Sequence, residues 1–332
     1  MRHLTAFMVL ALLLPSLAIA EIESFPNDDT WVVDGVVYAL SYTPSALYVG
    51  GYFSRVSPYT GAGVPLDLSV GHPIGTFDRV NGTVNAVVSD GTGGWFIGGN
   101  FAHVGSAVRM NLAHISSTGE LDSAWTANTN NTVWALALSD NVLYVGGEFD
   151  TIGDVSRSRL AALNATTGEV LSCHPASNGR VVAIAVSGNL VYVGGGFDLI
   201  GGQARNHIAA LDSVSAGATG WNPNASGEVF SIAVAEPLVY VGGEFSSIGR
   251  QARQNVAALD STTGNATSWN PNANQAVLAV KTDGTRVYAG GLFTIIGGQS
   301  RTYLAALDPT TGAATPWNPV LSAGVITLAV TG

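Results

Sequence analysis

The chain is short of most of what chemistry is built on. Its one cysteine, Cys173, closes no internal disulfide, so in an oxidising compartment core packing has to supply the stability. Lys281 is the one lysine, charged residues make up 11% and the formal net charge is -10, which makes nucleic acid and anionic membrane surfaces poor partners. There is no GxSxG, no HExxH and no phosphate-binding glycine-lysine loop. His72, His103, His114, His174 and His207 stand apart from one another, and Asp and Asn recur singly, without the DxDxDG spacing of a calcium loop. The usual signs of a nucleophile with its base, of paired carboxylates or of a metal cluster are therefore missing. The expectation is a protein with no cofactor, no metal and no asymmetric polar cluster.

Long apolar runs are scarce as well. The one at the start, in MRHLTAFMVLALLLPSLAIA (1–20), spans about a dozen residues, short of the ~20 that a spanning helix needs. Arg2 precedes it, and Ala18-Ile19-Ala20 makes a small-x-small cleavage site before Glu21. This pattern predicts a secretory signal peptide and an exported mature chain, 21–332, secreted or on the cell surface, extracellular or periplasmic. No membrane span is expected after cleavage.

What the chain has in plenty is glycine, 41 residues, and it recurs on a fixed interval. Double glycines begin at Gly50, Gly98, Gly146, Gly194, Gly242 and Gly290, each 48 residues from the last, and Phe53, Phe101, Phe149, Phe197, Phe245 and Phe293 follow at one offset. Each repeat reads as four short strands. In the third repeat these are VWALALS (133–139), LYVGGEF (143–149), RLAALN (159–164) and, after the turn TTG (166–168), a short last strand that in later repeats ends in WNPN. Such a period fits an all-β, six-bladed β-propeller in a single domain, 21–332, with repeats near 36–82, 83–131, 132–179, 180–227, 228–275 and 276–323. An extra strand, 324–332, contains VITLAVTG and matches a seventh first strand. It can close onto the first blade, belong to a truncated seventh blade, or pair with another molecule.

Two periodic series are candidates for function. Trp125, Trp221, Trp269 and Trp317 occupy one slot, with Phe77 in the same slot earlier and Cys173 in the third repeat. They are expected to be buried and to pack large rings on the double glycines; the alternative is exposed rings that stack on sugars. Cys173 then reads as a small buried filler, and His174, its strand neighbour, points the other way. Arg109, Arg157, Arg205, Arg253 and Arg301 lie 48 apart in the loop joining the second and third strands. Either each ties its loop to nearby carbonyls or to Asp212, Asp260 or Asp308, or the five form a ring that binds carboxylates or anionic glycans. SDGTGGW (89–95), loosely similar to the Asp-box of sialidases, reads as a turn, and sequons at Asn81, Asn130, Asn164, Asn224 and Asn265 matter only in a glycosylating host.

The stretch VYVGGEFSSIGRQARQNVAALD (239–260) resembles the bacterial tandem propeller repeats of the delta-sixty type and the extracellular propeller of fungal cortical polarity markers; its hydrophobic-Gly-Gly start is more weakly similar to kelch repeats. The resemblance implies a secreted or surface-displayed propeller. AALDSTTGNATSW (257–269) is similar to the repeat of pyrroloquinoline-quinone dehydrogenases, which use eight blades and often adjacent cysteines over the cofactor; six repeats and one cysteine argue against that enzyme here. The function expected is a non-enzymatic scaffold for a protein, a glycan or a second copy. The rival is a carbohydrate-active hydrolase or lyase built on the least repetitive parts, 59–73 with Asp67 and His72, and the surroundings of Cys173.

Overall fold

The computed structural model describes residues 12–13, 33–44, 46–54, 56, 62–67, 77–172 and 175–330. Most of the predicted leader, His72 and the pair Cys173 and His174 lie outside them. The chain divides into two compact bodies, Thr30–Asn224 and Ala225–Gly332 with Met1–Asp29.

Six antiparallel sheets, one per repeat, are present among the described residues, and in each the second strand lies between the first and the third. In the third repeat, Val133–Ser139, Val142–Gly147 and Leu160–Asn164 make the sheet. The second strands are buried along nearly their whole length, so both faces of each sheet are covered, which is why they read as apolar runs and not as alternating patterns.

Every first strand carries a β-bulge opposite the double glycine. Val133 pairs with Gly147 and Ala135 with Gly146, which leaves Trp134 extra; the same shift leaves out Tyr38, Asn85, Val182, Phe230 and Leu278 in the other repeats. The bulge explains the glycine pair. A Cβ on the second glycine would overlap a carbonyl oxygen of the first strand, that of Thr132 at Gly147 or Glu228 at Gly243. A Cβ on the first would stand 2.7 Å from Val181 Cγ1 at Gly146 and 2.7 Å from Val277 Cγ1 at Gly242, each the leading valine of the next repeat. The glycines are thus required by strand crowding within and between repeats; the large ring that the sequence suggested is present in the same repeat, Phe149 Cδ1 at 3.0 Å from a Cβ on Gly147 and Phe245 Cδ1 at 2.9 Å from one on Gly243, but it is the periodic phenylalanine and not the tryptophan.

Two further departures concern the short elements. The expected fourth strand is reduced to single bridges such as Ile115 with Leu121, Leu163 with Val170 and Leu259 with Ala266. The connection between second and third strands contains a small hairpin instead, such as Thr151–Ile152 with Val155–Ser156 or Leu199–Ile200 with Gln203–Ala204. Both central residues of these hairpins have positive φ, 57° and 74° at Gly201 and Gly202, the backbone of a two-residue type I′ turn.

The C-terminal segment repeats the pattern once more. Val325 and Leu328 are buried against Ala279, Tyr288, Leu304 and Ala306, and Val325 Cγ1 lies 2.6 Å from where a Cβ on Gly290 would be. Ala329–Val330 pairs in parallel with Leu12–Leu13.

Candidate functional site

The five periodic arginines behave alike. In each, Nη1 donates to the preceding residue's carbonyl and Nη2 to a carbonyl fourteen residues on: Arg109 to Val108 and Ser123 at 2.9 and 3.0 Å, Arg205 to Ala204 and Thr219 at 2.7 and 2.6 Å. Arg157, Arg253 and Arg301 repeat this with Leu171, Thr267 and Thr315. Each guanidinium therefore staples the hairpin connection to the segment before the tryptophan slot, with one N–H of each Nη donating to a carbonyl and the Nε buried without a partner among the described residues. The aspartates offered as alternative partners do another job. Asp212, Asp260 and Asp308 accept the N–H groups of the Thr-Gly turn, as from Thr262 and Thr263 at 3.1 and 2.7 Å, and these bonds hold their carboxyls below the usual range.

The tryptophans are buried at Trp125, Trp221 and Trp269 and half-buried at Trp317. Their ring partner is the aromatic residue two before the double glycine: Phe96 with Trp125 at 5.4 Å, Tyr192 with Trp221 at 5.1 Å, Tyr240 with Trp269 at 5.2 Å and Tyr288 with Trp317 at 6.0 Å. Trp125 Nε1 donates to Ala165 O and Trp269 Nε1 to Asp308 O, both in the following repeat. The glycine of the Thr-Gly turn lies over this ring, with a Cβ on Gly168 only 3.2 Å from Trp125 Cε2. Cys173 takes the slot by register, outside the described residues. In the repeat after it the turn glycine is replaced by Ala216, held at φ 62°, and a narrow pocket opens there between Tyr144, Leu160, Pro175, Leu211, Ser213 and Ala216.

An asymmetric polar cluster is present after all, against expectation, in the second repeat. His114, where other repeats have Ala162, Ala210, Ala258 and Ala306, lies between two carboxylates: Nε2 is 3.0 Å from Asp90 Oδ2 and Nδ1 is 3.0 Å from Asp122 Oδ2. Its ring stacks on Phe96 at 4.5 Å. Burial raises the Asp90 carboxyl, but bonds from the Thr92 and Gly94 N–H groups and from His114 outweigh it; Asp122, with His114 and the Ala124 N–H, follows the same pattern, and both sit below the usual range. SDGTGGW is thus a turn capped by Asp90, as read from the sequence. Both imidazole nitrogens are engaged by carboxylates, which fix the ring between the hairpin and the third strand. No group of three or more His, Cys, Asp or Glu among the described residues is placed to hold a metal. Asp67 ends the third strand of the first repeat.

Beside the bulges lie side chains that reach solvent, Trp134 on a bulge and Tyr52 and Asn100 after double glycines, while Tyr38 and Asn85 are half-buried. The residue after each double glycine pairs with, or bonds to, the residue two before the bulged one: Tyr52 opposite Val36, Asn100 opposite Thr83, and the Glu148 N–H donating to Thr132 O at 2.9 Å. Tyr38 and Tyr52, Asn85 and Asn100, and Trp134 and Glu148 thus stand at matching stations of the ladder, as three couples on successive repeats whose first strands pack on one another. Tyr52 is 66% and Trp134 37% exposed. Sequence reasoning missed these residues because they share no identity between repeats; the signal was their variety at a fixed offset. It also missed a left-handed position two after each arginine. There Asn111 and Asn255 each bridge two backbone groups, and Arg159, His207 and Tyr303 stand in at φ 63°, 64° and 71°.

In sequence, residues 156–327, 172 of the 332, match the family PQQ_2, described as outer membrane protein assembly factor BamB; residues 138–169 match DUF5122, a β-propeller domain of unknown function. No curated protein matches. Among solved structures, the chain is similar to the computationally designed protein Ika8, with TM-score 0.58, 14% identity and 92% of each chain covered. It is also similar to the WD40 domain of Neurospora crassa Pan2, with TM-score 0.57, 11% identity, 88% of this chain and 82% of that one covered. At these identities the likeness shows the fold alone, a β-propeller built from repeats.

Proposed function

Since the chain belongs to the PQQ_2 family, we propose that it is an exported, non-enzymatic propeller of six blades. It serves as a binding scaffold, in the cell envelope or outside the cell, for a protein or a glycan. One observation carries this reading. Side chains that differ from repeat to repeat gather at the bulged edge, where Tyr52 and Trp134 reach solvent, while each periodic arginine bonds two carbonyls of its own repeat and both ring nitrogens of His114 meet carboxylates.

Export is supported by the leader pattern of 1–20 and by the delta-sixty and polarity-marker resemblance, and the family's described member is by name an envelope protein. Self-association through the C-terminal strand is the weaker option, since Val325 and Leu328 already pack on the sixth repeat. Expressed with its leader, the protein should be recovered from the envelope or the medium with a mass that begins at Glu21. It should release no reducing ends from a panel of polysaccharides. A full-length cytosolic chain overturns export, and reducing-end release overturns the non-enzymatic reading.

A further inference from the structure

We propose that the three couples on the bulged edge of the first three repeats, Tyr38 with Tyr52, Asn85 with Asn100 and Trp134 with Glu148, form a binding surface for an uncharged saccharide chain. This rests on the scaffold reading and names its ligand class.

A bulge turns one side chain out of the regular alternation, and here it does so once per repeat at the same station. The outcome is a row that advances by one repeat at each step, as the residues of an oligomer do. Chemistry along the row then selects the ligand. Tyr38, Tyr52 and Trp134 are aromatic side chains with exposed surface. A pyranose has C–H faces that stack on such rings and hydroxyls that both donate and accept.

The polar members match those hydroxyls. Asn85 spends one donor on Val133 O at 3.1 Å and keeps its Oδ1 without a partner among the described residues, and the Asn100 side chain has no partner there either. Glu148 adds an acceptor 3.9 Å from Arg180, so its charge is partly offset. An anionic sugar has no free cation to meet on this row, and the chain as a whole is acidic. The row also ends. In the fourth repeat the corresponding residues are Val182 and Gly196, which supply neither a ring nor a hydrogen-bonding side chain.

The test is titration of the mature protein with neutral hexaoses, namely cellohexaose, chitohexaose, laminarihexaose and maltohexaose, followed by tryptophan fluorescence and calorimetry. At least one should bind with a dissociation constant below about 1 mM. Trp134→Ala and Tyr52→Ala should each weaken it roughly tenfold with an unchanged melting temperature, and Trp134→Phe should restore most of the loss. Absence of binding by every hexaose at about 5 mM overturns the inference, as does binding that survives both alanine variants, or capture of an extended peptide at this row instead. An intact protein that ignores sugars and releases no reducing ends leaves the scaffold reading standing, so the two fail separately.

Discussion

The tryptophan slot and the bulge are both met once in every repeat, and they are used in opposite ways. At the slot the side chains themselves recur: a ring pairs with the aromatic residue before the double glycine, a carbonyl of the following repeat accepts the indole N–H, and an arginine staples the approach. At the bulge only the backbone recurs, and Tyr38, Asn85, Trp134, Val182, Phe230 and Leu278 share nothing but the register. Sameness is kept where repeats must fit each other, because close-packed interiors tolerate little change in volume. Variety appears where only the backbone is constrained and the side chain is half-buried or, at Trp134, exposed.

The sharpest way to break this comparison is to remove a ring from the slot. Trp269 is 2% exposed, so Trp269→Ala should cost about 3–5 kcal/mol in denaturant unfolding. An unchanged midpoint would show that the slot is as permissive as the bulge.

A smaller gain should come from putting a ring back. Cys173→Trp combined with Ala216→Gly restores the pair found as Trp125 and Gly168, and should raise stability by about 1–2 kcal/mol. Cys173→Trp alone should gain less, because Ala216 has by register the place of Gly168, where a Cβ would stand 3.2 Å from Trp125 Cε2. Equal gains would separate the two residues and remove the coupling.

The smallest effect is electrostatic and belongs to the one slot neighbour that departs from the pattern. Asp90 and Asp122 are held below the ordinary carboxylate range in the folded protein. They therefore contribute stability that is present above the unfolded value near ~4 and is lost as pH falls through the folded one. The difference in melting temperature between the native protein and His114→Ala should shrink as pH falls below about 4 and the two carboxyls take up protons. A difference that does not change with pH would make His114 a packing residue on Phe96 only.

Much of the fold was legible before any coordinates. VWALALS and VVAIAVS are first strands at their predicted limits, Val133–Ser139 and Val181–Ser187, and the arginines lie in the connection assigned to them. The Thr-Gly turns were readable because φ values such as 72° at Gly264 demand a residue like glycine. Less could be read of the site. His114 looked scattered because its partners, Asp90 and Asp122, lie 24 and 8 residues away, and only the hairpin and the third strand bring them to it. The double glycine was assigned to the wrong ring for a similar reason. Its neighbours are the phenylalanine two residues on, a carbonyl across the ladder and a valine one repeat further on.

The sequence by itself determined the repeat, the strand order within it, the slot and its exception at Cys173, since each is a matter of residue identity recurring at a fixed distance. Only the tertiary structure decided which recurring residues face one another and which face water. A β-bulge leaves no mark on composition, yet by adding one residue to one strand it turns Trp134 outward and requires glycine at 146 and 147. That choice rests on contacts across strands and between repeats, whose partners are set by folding and not by nearness along the chain.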